Sequence, residues 1–177
     1  VATRIGAAAV SPKIRLLAYS DVKHVEGVIG SYKATVVRKP RFVDENKCIS
    51  CGVCAEKCPV QVPNKFDAGM RMRKAIYLPF PNATPSTYTI DKENCLHFKD
   101  GSCSFCQEVC PTKAVNYEQK PEEVQFEVGS IVNATGFDIY EPYDLENYGF
   151  GKFKNVVTSL QFERILDTGT QILGEVN

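Results

Sequence analysis

The stretch Cys48-Ile49-Ser50-Cys51-Gly52-Val53-Cys54-Ala55-Glu56-Lys57-Cys58-Pro59 decides how this chain is read. Four thiols fall within eleven residues, at intervening gaps of two, two and three residues, and a proline follows the last. The pattern returns further on, with the residues that lead into it. Val43-Asp44-Glu45-Asn46-Lys47-Cys48 is matched by Ile90-Asp91-Lys92-Glu93-Asn94-Cys95, and Cys51-x2-Cys54-x3-Cys58-Pro59 by Cys103-x2-Cys106-x3-Cys110-Pro111. The middle of the chain is therefore an internal repeat. Its halves differ in one place: two residues separate Cys48 from Cys51, whereas seven separate Cys95 from Cys103.

Eight cysteines in 177 residues would suggest disulfides in a secreted chain. Here they fall in two tight clusters. The apolar stretch from Ile5 to Val10 is too short for a signal-peptide core, and Ser11-Pro12 ends it. Reduced thiols that ligate metal are the better reading, with a cytoplasmic location expected. The run Cys-x2-Cys-x2-Cys-x3-Cys-Pro is that of bacterial ferredoxins, in which the fourth cysteine ligates the other cluster. Three cysteines at two-residue intervals can wrap a loop around one face of a cube. The fourth, expected to open a short helix, points away to the neighbouring cube, and the proline ends the loop. This crossing assigns Cys48, Cys51, Cys54 and Cys110 to one [4Fe–4S] cluster, and Cys95, Cys103, Cys106 and Cys58 to the second. The longer gap after Cys95 is expected to reshape the cover over the second cluster without removing a ligand. Ser50, Gly52, Ser102 and Ser104 are small enough to let backbone N–H groups approach the sulfides. Zinc is the competing metal, but its four-cysteine sites place two Cys-x2-Cys knuckles on either side of a longer stretch.

Around this module the chain divides into zones 1–37, 38–121 and 122–177. The first holds Ile14 to Tyr19, Val22, Val25 and Val28-Ile29, then Tyr32 to Val37, and reads as short strands, with Gly27 and Gly30 placed for a hairpin. The last opens with Val124-Gln125-Phe126-Glu127-Val128, whose period of two reads as a strand. The turn Ala134-Thr135-Gly136 follows. A helix is expected over 159–166, with Leu160, Phe162, Ile165 and Leu166 on its apolar side and Thr158 or Ser159 as cap. The segment between the cysteine runs, with Phe80-Pro81 and Thr84-Pro85, is expected to pack as an irregular lid. The expected fold is α+β: a cysteine-rich, ferredoxin-like module inserted into a β-rich parent domain. Because the chain starts at Val1, a fragment or a processed N-terminus is expected.

Lys plus Arg equals Asp plus Glu at 21 each, which gives no reason to propose nucleic acid or an anionic membrane as partner. No stretch is long enough to span a bilayer. His97 and His24 are read as surface histidines, since eight thiols already complete two cubes. Arg71-x-Arg73-Lys74, Arg38, Lys39 and Arg41 read first as solvated basic residues and second as a docking patch for an acidic electron carrier. Gly149-x-Gly151 is no dinucleotide fingerprint, and no Gly-x-Gly-x-x-Gly follows a strand. No nucleophile–base arrangement stands out, so the chain alone is not expected to be a self-contained enzyme.

Beyond the cysteines, several stretches are specific. They are Ile14-Arg-Leu-Leu-Ala-Tyr-Ser-Asp-Val22, Gly27-Val-Ile-Gly-Ser-Tyr32, Lys39-Pro-Arg-Phe-Val-Asp44, Arg73-Lys-Ala-Ile-Tyr-Leu-Pro-Phe-Pro81, Tyr88-Thr-Ile-Asp91, Ala134-Thr-Gly-Phe137 and Thr158-Ser-Leu-Gln-Phe-Glu-Arg-Ile-Leu166. Through them the run from about residue 10 to 173 resembles the A subunit of heterodisulfide reductase, an iron–sulfur flavoprotein of methanogens and of other anaerobic bacteria and archaea. The resemblance implies a ferredoxin domain inserted into a thioredoxin-reductase-like FAD domain, with a flavin that bifurcates electrons. It also implies that Ala134, Thr135 and Gly136 lie against the dinucleotide. Two departures point to FAD in the full-length subunit rather than in this chain: no glycine fingerprint is present, and Asn133 stands where an apolar residue is expected.

The expected role is electron transfer through two [4Fe–4S] clusters inside a heterodisulfide-reductase-type complex. Its expected partners are the other subunits, a hydrogenase or formate dehydrogenase input module, and ferredoxin. Two alternatives remain: a diffusible ferredoxin-like carrier, or the equivalent subunit of a quinone-linked or aromatic-ring-reducing complex. A non-redox scaffold held by metal is a third class.

Overall fold

The computed structural model describes residues 2–140 and 142–167. In chain order the regular elements are α1 (Ala2–Val10), β1 (Ser20–Val28), β2 (Ser31–Arg38), α2 (Val53–Lys57), β3 (Gln61–Pro63), β4 (Met72–Lys74), β5 (Ile76–Tyr77), β6 (Thr89–Ile90), α3 (Leu96–Asp100), α4 (Phe105–Glu108), β7 (Glu122–Val128) and α5 (Ser159–Leu166). The fold is α+β. Contacts group it into two compact units, Val1–Val62 with Lys74–Val132, and Pro63–Arg73 with Asn133–Asn177. The zones read from the sequence cut the chain at other places.

In the first unit, β1, β2 and β7 form an antiparallel sheet in that order. The β1–β2 hairpin pairs Gly27 with Tyr32 and Val28 with Ser31. Gly27 has φ +117°, and a Cβ there would lie 2.2 Å from the Ser31 carbonyl oxygen, so the turn admits only glycine. Between β2 and β7, Tyr32 faces Val128, Ala34 faces Phe126 and Val36 faces Val124. The period of two puts these six on one face, half-buried to buried, with Lys33, Glu123 and Glu127 on the other. Arg38 at the end of β2 pairs with Glu122 at the start of β7. Residues 39–121 thus leave one strand and return to its direct neighbour.

That excursion holds the hydrophobic core: Phe42, Val43, Ala75, Ile76, Ile90, Ala114 and Val115, together with Cys95 and Cys106. The repeat explains its arrangement. Asp44 and Asp91 close equivalent turns, accepting from the Cys48 N–H at 3.0 Å and the Cys95 N–H at 2.9 Å through their main-chain carbonyls. Val43 bridges Val115, and Ile90 pairs with Ile76. Each half therefore sends its lead-in residue to pair with the segment that follows a cysteine run. Arg41 is buried, with its Nε 2.8 Å from Glu45 and a terminal nitrogen 2.9 Å from the Thr89 hydroxyl.

The second unit is built from 3-10 turns and α5. Asn64 caps the turn Lys65–Asp67, accepting from the Phe66 N–H at 3.1 Å. Thr158 opens α5 with a capping box: its hydroxyl accepts from the Gln161 N–H while the Gln161 side chain accepts from the Thr158 N–H.

Several expectations need correction. The first zone is not all strand: Ala2–Val10 is an alanine-rich helix, and residues 14–19 are irregular. The inter-run segment is no mere lid, because it supplies β5, which pairs with β6 at the second lead-in and places Ile76 beside Ile90 among the most buried side chains. Only its middle is irregular. The apolar side of α5 is also incompletely used: Phe162 and Leu166 are exposed, whereas Arg164 is buried, its guanidinium 4.6 Å from the Phe66 ring centroid.

Candidate metal centre

The first run folds as loop, single helical turn and exit. Gly52, with φ +84°, is the N-cap of α2, a left-handed position that glycine supplies without strain. Cys54 lies inside α2, and Cys58 ends it with φ −68° and ψ 123°. The second run repeats this, with Cys106 inside α4 and Cys110 beyond it. The fourth cysteine therefore does not open a helix, as expected, but leaves one. One helical turn between the third and fourth cysteines carries the fourth away from its own loop. The extra residues after Cys95 form α3, which runs from its N-cap Cys95 to Gly101, whose φ of +75° ends it.

All eight thiols are free. They open onto two cavities of similar size. Cys48, Cys51, Cys54 and Cys110 line the first, with Val43, Ile76 and Tyr88 among its walls. Cys58, Cys95, Cys103 and Cys106 line the second, with Ile76, Ile90 and Tyr117. Ile76 lies between them and belongs to both walls. Each cavity therefore takes three thiols from one run and one from the other. Among the described residues no three His, Cys, Asp or Glu side chains converge on a single ion; the thiols ring two volumes. Four soft donors around a mostly apolar volume fit a [4Fe–4S] cube, which is held by four cysteine thiolates.

Burial pushes the Cys54 thiol up to about 12, and raises Cys95 and Cys106 as well. Without metal these thiols hold their protons at neutral pH, so loading the site expels them. Cys110 goes the other way. Burial opposes its ionisation, but hydrogen bonds from the Ala114 N–H at 3.2 Å, the Thr112 hydroxyl at 3.6 Å and the Thr112 and Val115 N–H groups together outweigh that and bring it below the ordinary value. The Tyr117 hydroxyl lies 3.0 Å from the Cys106 sulfur. Burial and this bond push the phenol up, so it stays protonated.

His97 is not the solvent-facing loop histidine expected from its position. It sits in α3, half-buried, stacked on the Tyr117 ring with centroids 3.6 Å apart, and its Nδ1 is 3.0 Å from the Cys103 carbonyl oxygen. Sequence reasoning also passed over Tyr117; an aromatic soon after a cysteine run was the one signal available. His24 is on the surface of β1, 3.6 Å from Glu26. Ser50 holds the backbone and hydroxyl of Ser86, which ties the first loop to the inter-run segment. Ser104 caps α4 by position. Ala134, Thr135 and Gly136 lie in an exposed irregular stretch, where Gly136 takes φ +77°. No described helix is long and apolar enough to cross a membrane.

Fold and donor set together define a two-cluster iron–sulfur domain of ferredoxin type, and residues 47–114 match the 4Fe-4S dicluster domain family. The relatives extend the comparison beyond that core. The chain is 46% identical over 156 residues to the iron-sulfur A subunit of the CoB–CoM heterodisulfide reductase of Methanocaldococcus jannaschii, covering 88% of this chain and 23% of that protein. It is 44% identical over 163 residues to the A subunit of the H(2):CoB-CoM heterodisulfide,ferredoxin reductase of Methanothermobacter thermautotrophicus, covering 92% and 24%. To the A subunit of the ferredoxin:CoB-CoM heterodisulfide reductase of Methanosarcina mazei it is 40% identical, covering 93% and 20%. The chain is a homologue of the heterodisulfide reductase A subunit, and it spans about a quarter of the length of the curated relatives it matches.

Proposed function

We propose that this chain relays electrons through two [4Fe–4S] clusters in crossed ligand sets, within a heterodisulfide-reductase-type, electron-bifurcating flavoprotein complex. Cys48, Cys51, Cys54 and Cys110 hold one cluster; Cys95, Cys103, Cys106 and Cys58 hold the other. The observation that carries this reading is the grouping of the eight thiols around two cavities, each with one thiol from the opposite run. When bound, each cluster takes up and releases one electron. The residues between do the rest. Ile76 and Ile90 pack against one another at the partition, and Val43, Ala114 and Val115 keep water from the inner side.

The relay is inserted in a thioredoxin-reductase-like FAD domain, formed by zones 1–37 and 122–177. Direct pairing of β2 with β7 supports this, since it closes the parent sheet across the excursion. So does the exposure of Val22, Val28, Ile29, Val132 and Phe137, apolar surface that a larger parent domain would cover. Ala134, Thr135 and Gly136 face the flavin in the complete protein. Its partners are the other subunits of the complex, a hydrogenase or formate dehydrogenase input module, and ferredoxin. One relative is named for H(2) or formate, heterodisulfide and ferredoxin together. We assign it to the cytoplasm, a reading supported by eight clustered cysteines suited to metal ligation rather than to disulfides.

Anaerobic purification with metal analysis and redox-titrated EPR tests the reading. Roughly eight iron atoms per chain and two one-electron signals are expected. Colourless protein with about two zinc ions would overturn it. Co-purification with a flavoprotein complex separates the relay from a diffusible carrier.

A further inference from the structure

We infer that Tyr117 is a positioning residue that sets the reduction potential of the second cluster, and that the inserted helix α3 holds it in place. The inference rests on the reading that Cys58, Cys95, Cys103 and Cys106 hold a [4Fe–4S] cluster.

The Tyr117 hydroxyl is 3.0 Å from the Cys106 sulfur. A cysteine that ligates iron is a thiolate and has no proton to give, so the hydroxyl is the donor. Donors to cluster sulfurs favour the reduced, more negative state. Reduction adds one electron and moves no proton: the hydroxyl hydrogen stays on Tyr117, and its bond to Cys106 strengthens.

A hydroxyl tunes a potential only if its ring is held. The Tyr117 ring lies flat on His97, 3.6 Å between centroids and 12° between planes, and meets the edge of Phe98 at 5.7 Å and 83°. Phe98 in turn packs on Phe42, in the core, at 4.5 Å. His97 is fixed by its Nδ1 against the Cys103 carbonyl oxygen at 3.0 Å. His97 and Phe98 both belong to α3. That helix is the stretch between Cys95 and Cys103 by which the second half exceeds the first. The two residues between Cys48 and Cys51 cannot form such a helix, so Cys54, the counterpart of Cys106, lacks this clamp. The asymmetry of the repeat becomes an asymmetry of potential.

The test is Tyr117→Phe in the full protein with both clusters loaded, read by redox-titrated EPR and iron content. We expect unchanged iron and one midpoint potential lower, its reduction about tenfold less favourable, which is about 59 mV for a one-electron couple. The other potential stays where it was. The signal that moves is the one that Cys106→Ser perturbs. If Tyr117→Phe loses iron, His97→Ala decides: a fall confined to the same signal supports the inference, and no fall overturns it. His97→Phe, which keeps a stacking ring but not the bond to the Cys103 carbonyl, falls less than His97→Ala. Two unmoved potentials in fully loaded Tyr117→Phe overturn the inference. A wild-type protein without two reducible clusters overturns the cluster reading instead.

Discussion

Cys110, the last cysteine of the second run, opens onto the same cavity as Cys48, the first cysteine of the first run. Cys58 reciprocates by opening onto the cavity of Cys95. The exchange follows from local structure: a single helical turn lies between the third and fourth cysteine of each run, and the fourth leaves that turn in an extended conformation at Cys58. Each run thereby contributes one thiol to the cavity that the other run lines with three. The same reciprocity runs through the core, where Val43 meets Val115 and Ile90 meets Ile76.

Ile76 is 2% exposed and belongs to both cavity walls. Ile76→Ala removes packing that neighbouring residues cannot refill and is expected to cost about 2–5 kcal/mol. The expected readout is faster loss of visible absorption in denaturant, with both EPR signals affected together.

Gly52 precedes the helical turn that carries Cys54, at φ +84°, and a Cβ there would lie 3.3 Å from the Tyr88 hydroxyl oxygen. Gly52→Ala adds left-handed strain of about 1–2 kcal/mol and pushes Tyr88 outward. Denaturant unfolding should show the loss of stability, and the EPR change should be confined to the signal that Cys48→Ser perturbs.

The buried Arg41 joins the two lead-in segments through Glu45 and Thr89. Glu45 is partly exposed and also meets Arg38, so it can rehydrate when Arg41 is removed. The Thr89 hydroxyl, fully buried, cannot. Arg41→Ala should therefore destabilise the protein by about 1–3 kcal/mol, with Glu45→Gln costing less. Paired unfolding curves of the two variants check the order.

Thr158 caps α5 by accepting from the Gln161 N–H at 3.2 Å. Thr158→Ala should cost about 1 kcal/mol and Thr158→Ser little. Hydrogen exchange at the first turn of α5 should rise in the first variant and leave the cluster signals unchanged.

The grouping of the thiols was legible in the sequence because the two cysteine runs repeat one spacing. The hairpin at Gly27 and Gly30, the strand at Val124 to Val128 and the capped helix 159–166 were legible for the same reason: turn, period and cap are local. What was missed depends on contacts distant in sequence. Ile76 lies in the segment between the two halves and looked like a lid residue until β5 paired with β6 at Ile90, the start of the second lead-in. His97 looked solvent-facing because nothing beside it in sequence announces that Tyr117 will stack on it. The apolar side of α5 was read correctly as a pattern, but Phe162 and Leu166 remain exposed, so pattern alone did not tell which apolar residues this chain buries.

The crossed ligand sets are tested most directly by comparing the EPR spectra of four variants of the cluster-loaded, reduced protein: Cys48→Ser, Cys110→Ser, Cys58→Ser and Cys95→Ser. Cys110→Ser is expected to alter the same signal as Cys48→Ser, and Cys58→Ser the same signal as Cys95→Ser. If Cys110→Ser instead perturbs the signal that Cys95→Ser perturbs, each run holds its own cluster and the ligand sets are not crossed.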